Sequence, residues 1–185
     1  MKIKNLNQVM HYFAHQFVTD DTLIIDATCG NGNDTYFLAS NFANDVIAID
    51  IQKHAIDNTK KRCSEFTNIK YHLLDHKDIG TIIDKPVSFA VCNLGYLPNS
   101  ESNLITTADS SIKAITSILE KLISGGGIVI SIYTNHDHHQ EEQQLLPFLS
   151  TLDKHQYLVM NYKFINLEEA PYLVTVSYTH LRAHE

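Results

Sequence analysis

Hydrophobic positions follow two patterns along the chain. Short runs rich in Val and Ile, typical of buried strands, alternate with longer segments whose apolar residues recur every three or four positions, as in amphipathic helices. The predicted strands are residues 23–27, 46–49, 69–73, 87–92, 128–132, 157–164 and 172–176. The predicted helices are a first segment carrying Leu6, Val9, Met10, Phe13 and Phe17, then residues 34–40, 53–62, 106–122 and 141–152.

This alternation predicts an α/β fold with helices on both faces of a seven-stranded, mostly parallel sheet, because parallel neighbours need crossover connections. The short link between the last two strands predicts a C-terminal antiparallel hairpin. Thr106 and Asp109 are predicted to start the fourth helix as a capping box, and the glycines at 125–127 to end it. Residues 1–176 are expected to form one domain. Residues 177–185 do not continue the hydrophobic periodicity of the preceding strand and are expected to be a non-native tail.

Composition narrows the class of protein. A net charge of -7 and a pI near 5.8 argue against holding nucleic acid by broad electrostatic attraction, so any RNA contact must be local. The three cysteines are odd in number and lack metal-ligand spacing, which favours a reducing compartment over a disulfide framework. The N-terminus lacks a signal-peptide core and no segment reaches membrane-spanning length, so a cytoplasmic protein away from membranes is expected.

The candidate chemistry begins where the first predicted strand runs into a glycine turn and then a helix. Gly30 and Gly32 can adopt backbone angles closed to other residues, and the free N–H groups of the helix that follows favour a nucleotide-like ligand. Asp26 ends the strand. A third glycine of the dinucleotide fingerprint is missing, with Thr35 in its place, which weakens a nicotinamide interpretation.

Other polar residues follow the next strands, whose carboxyl ends face the same crevice. Asp50 can accept hydrogen bonds from both hydroxyls of a ribose, which suits NAD and S-adenosylmethionine equally. Asp75 and His76 could flank the adenine. Asn93 and Tyr96, in the string Asn-Leu-Gly-Tyr, have the chemistry to aim a target amine and to stack on a base.

These motifs resemble a small class I methyltransferase family, the rRNA methylases. The resemblance rests on residues 26–39, 50–52 and the string Asn-Leu-Gly-Tyr-Leu-Pro at 93–98, with further similarity at 164–166 and 170–173. It implies a Rossmann-like fold, S-adenosylmethionine as cofactor, a homodimer, and methylation of the aminomethyl group of 5-aminomethyl-2-thiouridine at the tRNA wobble position. Two strings depart from the family pattern, Asn99-Ser100-Glu101-Ser102 and Thr134-Asn135-His136, and both concern substrate contacts.

The resemblance also implies roles for individual residues. Asn93 would position the amine, Tyr96 would pack on the uridine, and His136 is a candidate proton acceptor, with water as the alternative. The predicted cofactor contacts are Asp26, Thr28, Gly30, Asn31, Gly32, Asn33, Asp34, Thr35, Asp50, Ile51, Gln52, Asp75, His76 and Asn93.

Several alternatives stay open. The same cofactor pocket could serve an rRNA or other amine methyltransferase, and the fold could be a non-catalytic RNA-binding domain. His136, His138 and His139 lack an accompanying ligand framework, so no metal is expected. The basic residues of the helix at 53–62 could meet RNA phosphates or form a solvated face.

Overall fold

The computed structural model describes residues 5–94, 107–133, 140–167 and 170–179. The α-helices are α1 Leu6–Phe17, α2 Asn33–Asn41, α3 Lys53–Arg62, α4 Ala108–Leu119 and α5 Gln140–Ser150. The strands are β1 Leu23–Asp26, β2 Asp45–Asp50, β3 Ile69–Leu73, β4 Val87–Leu94, β5 Leu122–Ile132, β6 Tyr157–Tyr162 and β7 Tyr172–Tyr178. A 3₁₀ helix, His76–Thr81, follows β3.

The strands form one sheet in the order β3-β2-β1-β4-β5-β7-β6. Strands β1 to β5 pair in parallel, whereas β7 is antiparallel to both β5 and β6. The predicted fold class, a mostly parallel seven-stranded sheet with a closing hairpin, is therefore confirmed. Strand order reverses between β1 and β4, and this reversal opens a crevice at their carboxyl ends.

Alternate strand residues point to two separate helical layers, as the two-residue period of a strand requires. Ile24 and Val46 pack in one cluster with residues of α1 and α2. Ile25 and Ile47 pack in the other with residues of α4 and α5. All four residues of β1 are fully buried. The central strand is thus covered on both faces, and only its end can meet a ligand.

The fourth helix differs from its prediction at both ends. Its cap is Thr107, whose side chain accepts from the Ser110 N–H while Ser110 reciprocates, so the capping box is one residue later than predicted; Thr106 lies outside the described residues. The helix ends at Leu119, and Gly125 lies within β5 instead of at a helix end. Gly125 has a φ of 84° and lies at a shift in the register between β4 and β5. Local rules for helix ends could not predict this shift, because it depends on the pairing of two strands.

Smaller differences occur near the C-terminus and after β3. Strand β7 continues past Val176, with Ser177 pairing to both Gly127 and Leu158, so ending it at 176 was wrong. The origin of the tail remains a prediction. The 3₁₀ helix was not predicted, and β6 stops at Tyr162. In the parts of the chain that the structure describes, every helix is too short or too polar to cross a bilayer.

Candidate active site

The loop between β1 and α2 is held tightly against α3. Gly30 and Gly32 both have positive φ, 50° and 77°, which favours glycine. A Cβ added to Gly32 would lie 2.9 Å from the Thr59 Cα, so glycine is needed there for space as well as for conformation. The backbone of the loop can consequently approach a ligand closely.

Side chains of α3 fix the course of this loop. Thr59 Oγ1 donates to the Gly30 carbonyl at 3.0 Å, and Arg62 Nε donates to the Asn31 carbonyl at 2.7 Å. Asn58 Nδ2 reaches the Asn31 side-chain oxygen at 3.1 Å. Sequence reasoning did not find these supports. Thr59 could have been noticed, because it is a polar residue on the buried face of α3.

Asp50, at the end of β2, accepts from two backbone N–H groups, one in the glycine loop and one just before α3. Its Oδ2 accepts from the Gly30 N–H at 3.0 Å, and its Oδ1 accepts from the Gln52 N–H at 2.9 Å. Each carboxylate oxygen keeps a lone pair that can accept from a ligand hydroxyl. Ile51, directly beside it, is 46 % exposed and presents an apolar surface. This combination suits the ribose and base of a nucleoside.

The end of β3 contributes a buried imidazole. Asp75 caps the 3₁₀ helix by accepting from the Lys77 N–H, and pairs with the Lys77 ammonium at 2.9 Å. His76 is 8 % exposed, and its Nε2 has no hydrogen-bond partner among the described residues. Burial lowers the pKa of His76, while the charges of Asp75 and Asp50 oppose that shift. An unsatisfied buried nitrogen beside Asp50 is the kind of group a bound ligand would satisfy.

Asp26 lies beneath the glycine loop and is fully buried. It accepts from Thr35 Oγ1 at 2.5 Å and from the Thr28 N–H at 3.3 Å. Burial and the nearby Asp34 carboxylate raise the pKa of Asp26 to about 7, although those two hydrogen bonds partly oppose the shift. A positively charged ligand group close to this loop would favour the ionised form.

Asn93, near the end of β4, is connected to three elements. Its N–H donates to Thr28 Oγ1 at 2.7 Å, its Nδ2 donates to Asp34 Oδ2 at 2.6 Å, and its Oδ1 accepts from Ser131 Oγ at 2.6 Å. Sequence reasoning missed Ser131. The available signal was a hydroxyl in the otherwise apolar end of β5, which the sheet register places directly opposite Asn93.

The structure thus brings the predicted residues of the first three strand ends to one edge of the sheet, together with Asn93. Asn33, the first residue of α2, is exposed beside the loop. Tyr96 and His136 lie outside the described residues, as do His138 and His139. Within the described ranges, no group of three or more His, Cys, Asp or Glu side chains could hold a metal ion. The expectation of no metal stays a prediction. Cys29 and Cys92 are buried, in keeping with packing.

The open α/β sheet with a glycine loop and acidic strand ends has the form of a Rossmann-like methyltransferase. The family model described as "Putative rRNA methylase" matches residues 46–177. A chloroplastic tRNA (mnm5s2U34)-methyltransferase of Arabidopsis thaliana is 30 % identical over 187 residues, covering 92 % of this chain and 68 % of that protein. The chain belongs to the rRNA methylase family and is a methyltransferase.

Two crystal structures show the same architecture. The rRNA methylase homologue from Clostridium thermocellum is 34 % identical with a TM-score of 0.90, and the match covers 96 % of this chain and 100 % of that one. A methyltransferase from Streptococcus mutans in complex with SAH (S-adenosyl-L-homocysteine) is 33 % identical with a TM-score of 0.88, covering 96 % of this chain and 99 % of that one.

Proposed function

We propose that this methyltransferase transfers a methyl group to the aminomethyl nitrogen of 5-aminomethyl-2-thiouridine at the wobble position of tRNA. The observation that carries the proposal is Asn93, whose carboxamide is anchored at a strand end beside the glycine loop. An amide oxygen held in place can accept from an amine N–H and aim the nitrogen lone pair. The Arabidopsis relative supports the choice of tRNA as substrate.

S-adenosylmethionine is the methyl donor, and the residues present fit it. Asp50 would accept from the ribose hydroxyls with its remaining lone pairs. Ile51 and the unsatisfied Nε2 of His76 would meet the base. The loop around Gly30 and Gly32 would face the methionine end, with Asp26 beneath it. When bound, this cofactor supplies an electrophilic methyl group on a positively charged sulfur.

The protein's contribution to the chemistry is mainly alignment. Displacement at a methyl carbon needs the attacking nitrogen in line with the departing sulfur, and fixing two reactants in that geometry removes most of the entropic barrier. Asn93 would hold the amine, and Tyr96 is proposed to pack on the uridine. The amine must be neutral to attack, which for an aliphatic amine with a pKa near 10 costs about 4 kcal/mol at pH 7. His136 or water is proposed to take the proton.

We further propose a cytoplasmic homodimer without a metal, in which residues 1–176 form one domain that contacts the anticodon region of tRNA. The family description favours rRNA as a second candidate acceptor. A non-catalytic RNA-binding role is the third outcome to be tested. It is disfavoured by the fit of Asp50 and the glycine loop to S-adenosylmethionine, a cofactor that a protein binding only RNA does not need.

The deciding experiment incubates the protein with S-adenosylmethionine and tRNA from cells unable to complete the wobble modification. Nucleoside mass spectrometry should then show conversion of the aminomethyl to the methylaminomethyl nucleoside. Fully modified tRNA and ribosomal RNA serve as parallel substrates. Methylation of ribosomal RNA alone would replace the tRNA proposal. No methylation together with no SAH binding in calorimetry would favour the binding domain.

A further inference from the structure

We propose that Asp34 is a positioning residue for methyl transfer: with Ser131 it fixes the carboxamide of Asn93 so that Oδ1 faces the acceptor amine. This inference rests on the proposed function. It moves Asp34 from the cofactor contacts, where the sequence placed it, to the acceptor side of the crevice.

The Asn93 carboxamide has a hydrogen-bond partner for each of its two polar atoms. Nδ2 of Asn93 donates to Asp34 Oδ2, and Oδ1 accepts from Ser131 Oγ, both at 2.6 Å. The main chain is fixed as well, because the Asn93 N–H donates to Thr28 Oγ1. The side chain is therefore held at both ends of its amide plane, on a backbone that is itself anchored.

Asp34 and Ser131 differ in the hydrogen bonds that they can make with Asn93. An ionised carboxylate can only accept hydrogen bonds, so Asp34 requires the NH₂ group of Asn93 to point toward it. The Ser131 hydroxyl can donate or accept and would tolerate either orientation. Asp34 thus decides which end of the amide is Oδ1, and Ser131 holds that oxygen in place. After accepting from Ser131, Oδ1 retains one lone pair for an amine N–H.

Charged and titratable groups on three elements surround Asp34. Its carboxyl faces Asp26 from β1, His11 from α1 and Tyr133 after β5. Burial raises the pKa of Asp34, while the Asn93 hydrogen bond and the charge of His11 lower it. A protonated Asp34 could donate to an amide oxygen, so the fixed orientation of Asn93 would be lost as the pH falls through the Asp34 pKa.

The main test is a double-mutant cycle of Asp34→Asn and Asn93→Ala. The isosteric Asp34→Asn variant should lower kcat at least tenfold with the SAH dissociation constant changed less than twofold. In the Asn93→Ala background, the same change should alter kcat less than twofold, because there is no carboxamide left to orient. Ser131→Ala should also lower kcat less in the Asn93→Ala background than in the wild type. Additive losses, or a parallel loss of SAH affinity, would overturn the proposal.

A second readout does not depend on methyl transfer. In nitrogen-15 NMR spectra, the Asn93 side-chain NH₂ signals should shift with pH in the wild type, and this shift should be much smaller in Asp34→Asn, where only Asp26 and His11 still titrate nearby. If the wild type methylates no tRNA, the proposed function fails and this titration decides the Asp34 contact by itself. An unchanged titration in Asp34→Asn would contradict it.

Discussion

The two halves of the candidate site are built differently. On the cofactor side, Asp50 accepts from two backbone N–H groups, and the glycine loop is bound through its carbonyls. On the proposed acceptor side, the Asn93 carboxamide is held by the side chains of Asp34 and Ser131, and its N–H by Thr28 Oγ1. Each of these cofactor-side contacts joins one side chain to the main chain, so only one of its two partners can be substituted. The side-chain contacts of Asn93 can be removed from either end.

This difference means that damage to the two halves should be separable. Changes in the loop should affect folding and cofactor affinity together, because the loop backbone serves both. Changes around Asn93 should affect turnover and leave the cofactor in place. Substitutions in each half can therefore test that separation.

Gly32→Ala should destabilise the protein by about 3 kcal/mol, from a left-handed backbone and overlap with Thr59. Urea unfolding measures the loss, and SAH affinity should fall with it. Gly125→Ala is the matched control, because its φ is 84° but a Cβ there meets nothing within 4 Å. It should lose only about 1 kcal/mol. Equal losses would mean that contact with α3 does not determine the shape of the loop.

Asn93→Ala should lower kcat about 100-fold, equivalent to about 2.7 kcal/mol, because the acceptor loses its alignment. Steady-state kinetics on hypomodified tRNA measure kcat, and calorimetry should show SAH affinity within twofold of the wild type. Asn161→Ala, at an exposed position of β6, is the control and should be fully active. A large fall in SAH affinity in Asn93→Ala would remove the distinction between the two halves.

The same division explains what could be predicted from the sequence. The fold and the loop were predictable because each signal is local in the sequence. Runs of Val and Ile mark the strands, and the glycines and carboxylates lie directly at the strand ends. The role of Ser131 was not predictable, because its partner Asn93 lies 38 residues away and only the register of β4 and β5 joins them. The hydrogen bond between Asp34 and Asn93 could not be predicted for the same reason, since the two residues are 59 positions apart.

The glycines at 125–127 illustrate a second limit. Three consecutive glycines after a helical pattern ordinarily end a helix, yet here they lie inside β5. A Cβ on Gly127 would overlap the Phe17 ring. Close packing between α1 and the sheet requires a glycine at that position, and no local sequence rule contains this information.

Asp26 should make stability depend on pH. Its pKa is about 7 in the folded protein against 3.8 ordinarily, so the folded state binds the extra proton between these values. Stability should therefore fall as pH rises through this window. The free energy of unfolding of Asp26→Asn minus that of the wild type should increase by about 2 kcal/mol from pH 5 to 7.

Urea unfolding of the cofactor-free protein at pH 5, 6 and 7 measures this change. Asp45→Asn is the control, because the Lys85 hydrogen bond lowers the pKa of Asp45 and leaves it ionised throughout the range. The difference between Asp45→Asn and wild type should not vary with pH. A flat difference for Asp26→Asn would show that Asp26 is ionised in the folded protein.

Asp50→Asn should weaken SAH binding about tenfold, or about 1.4 kcal/mol, which is the smallest of these effects. An amide offers one oxygen where the carboxylate offers two, so the Gly30 N–H or the Gln52 N–H loses its acceptor and the ribose loses a charged partner. Asp57→Asn, an exposed change on α3, should bind SAH as the wild type does. With S-adenosylmethionine saturating, the kcat of Asp50→Asn should return to within about threefold of wild type, since Asn93 and Asp34 are untouched. A persistent loss of kcat would show that the two halves act as one unit, and that the backbone contacts of Asp50 also set the position of the acceptor.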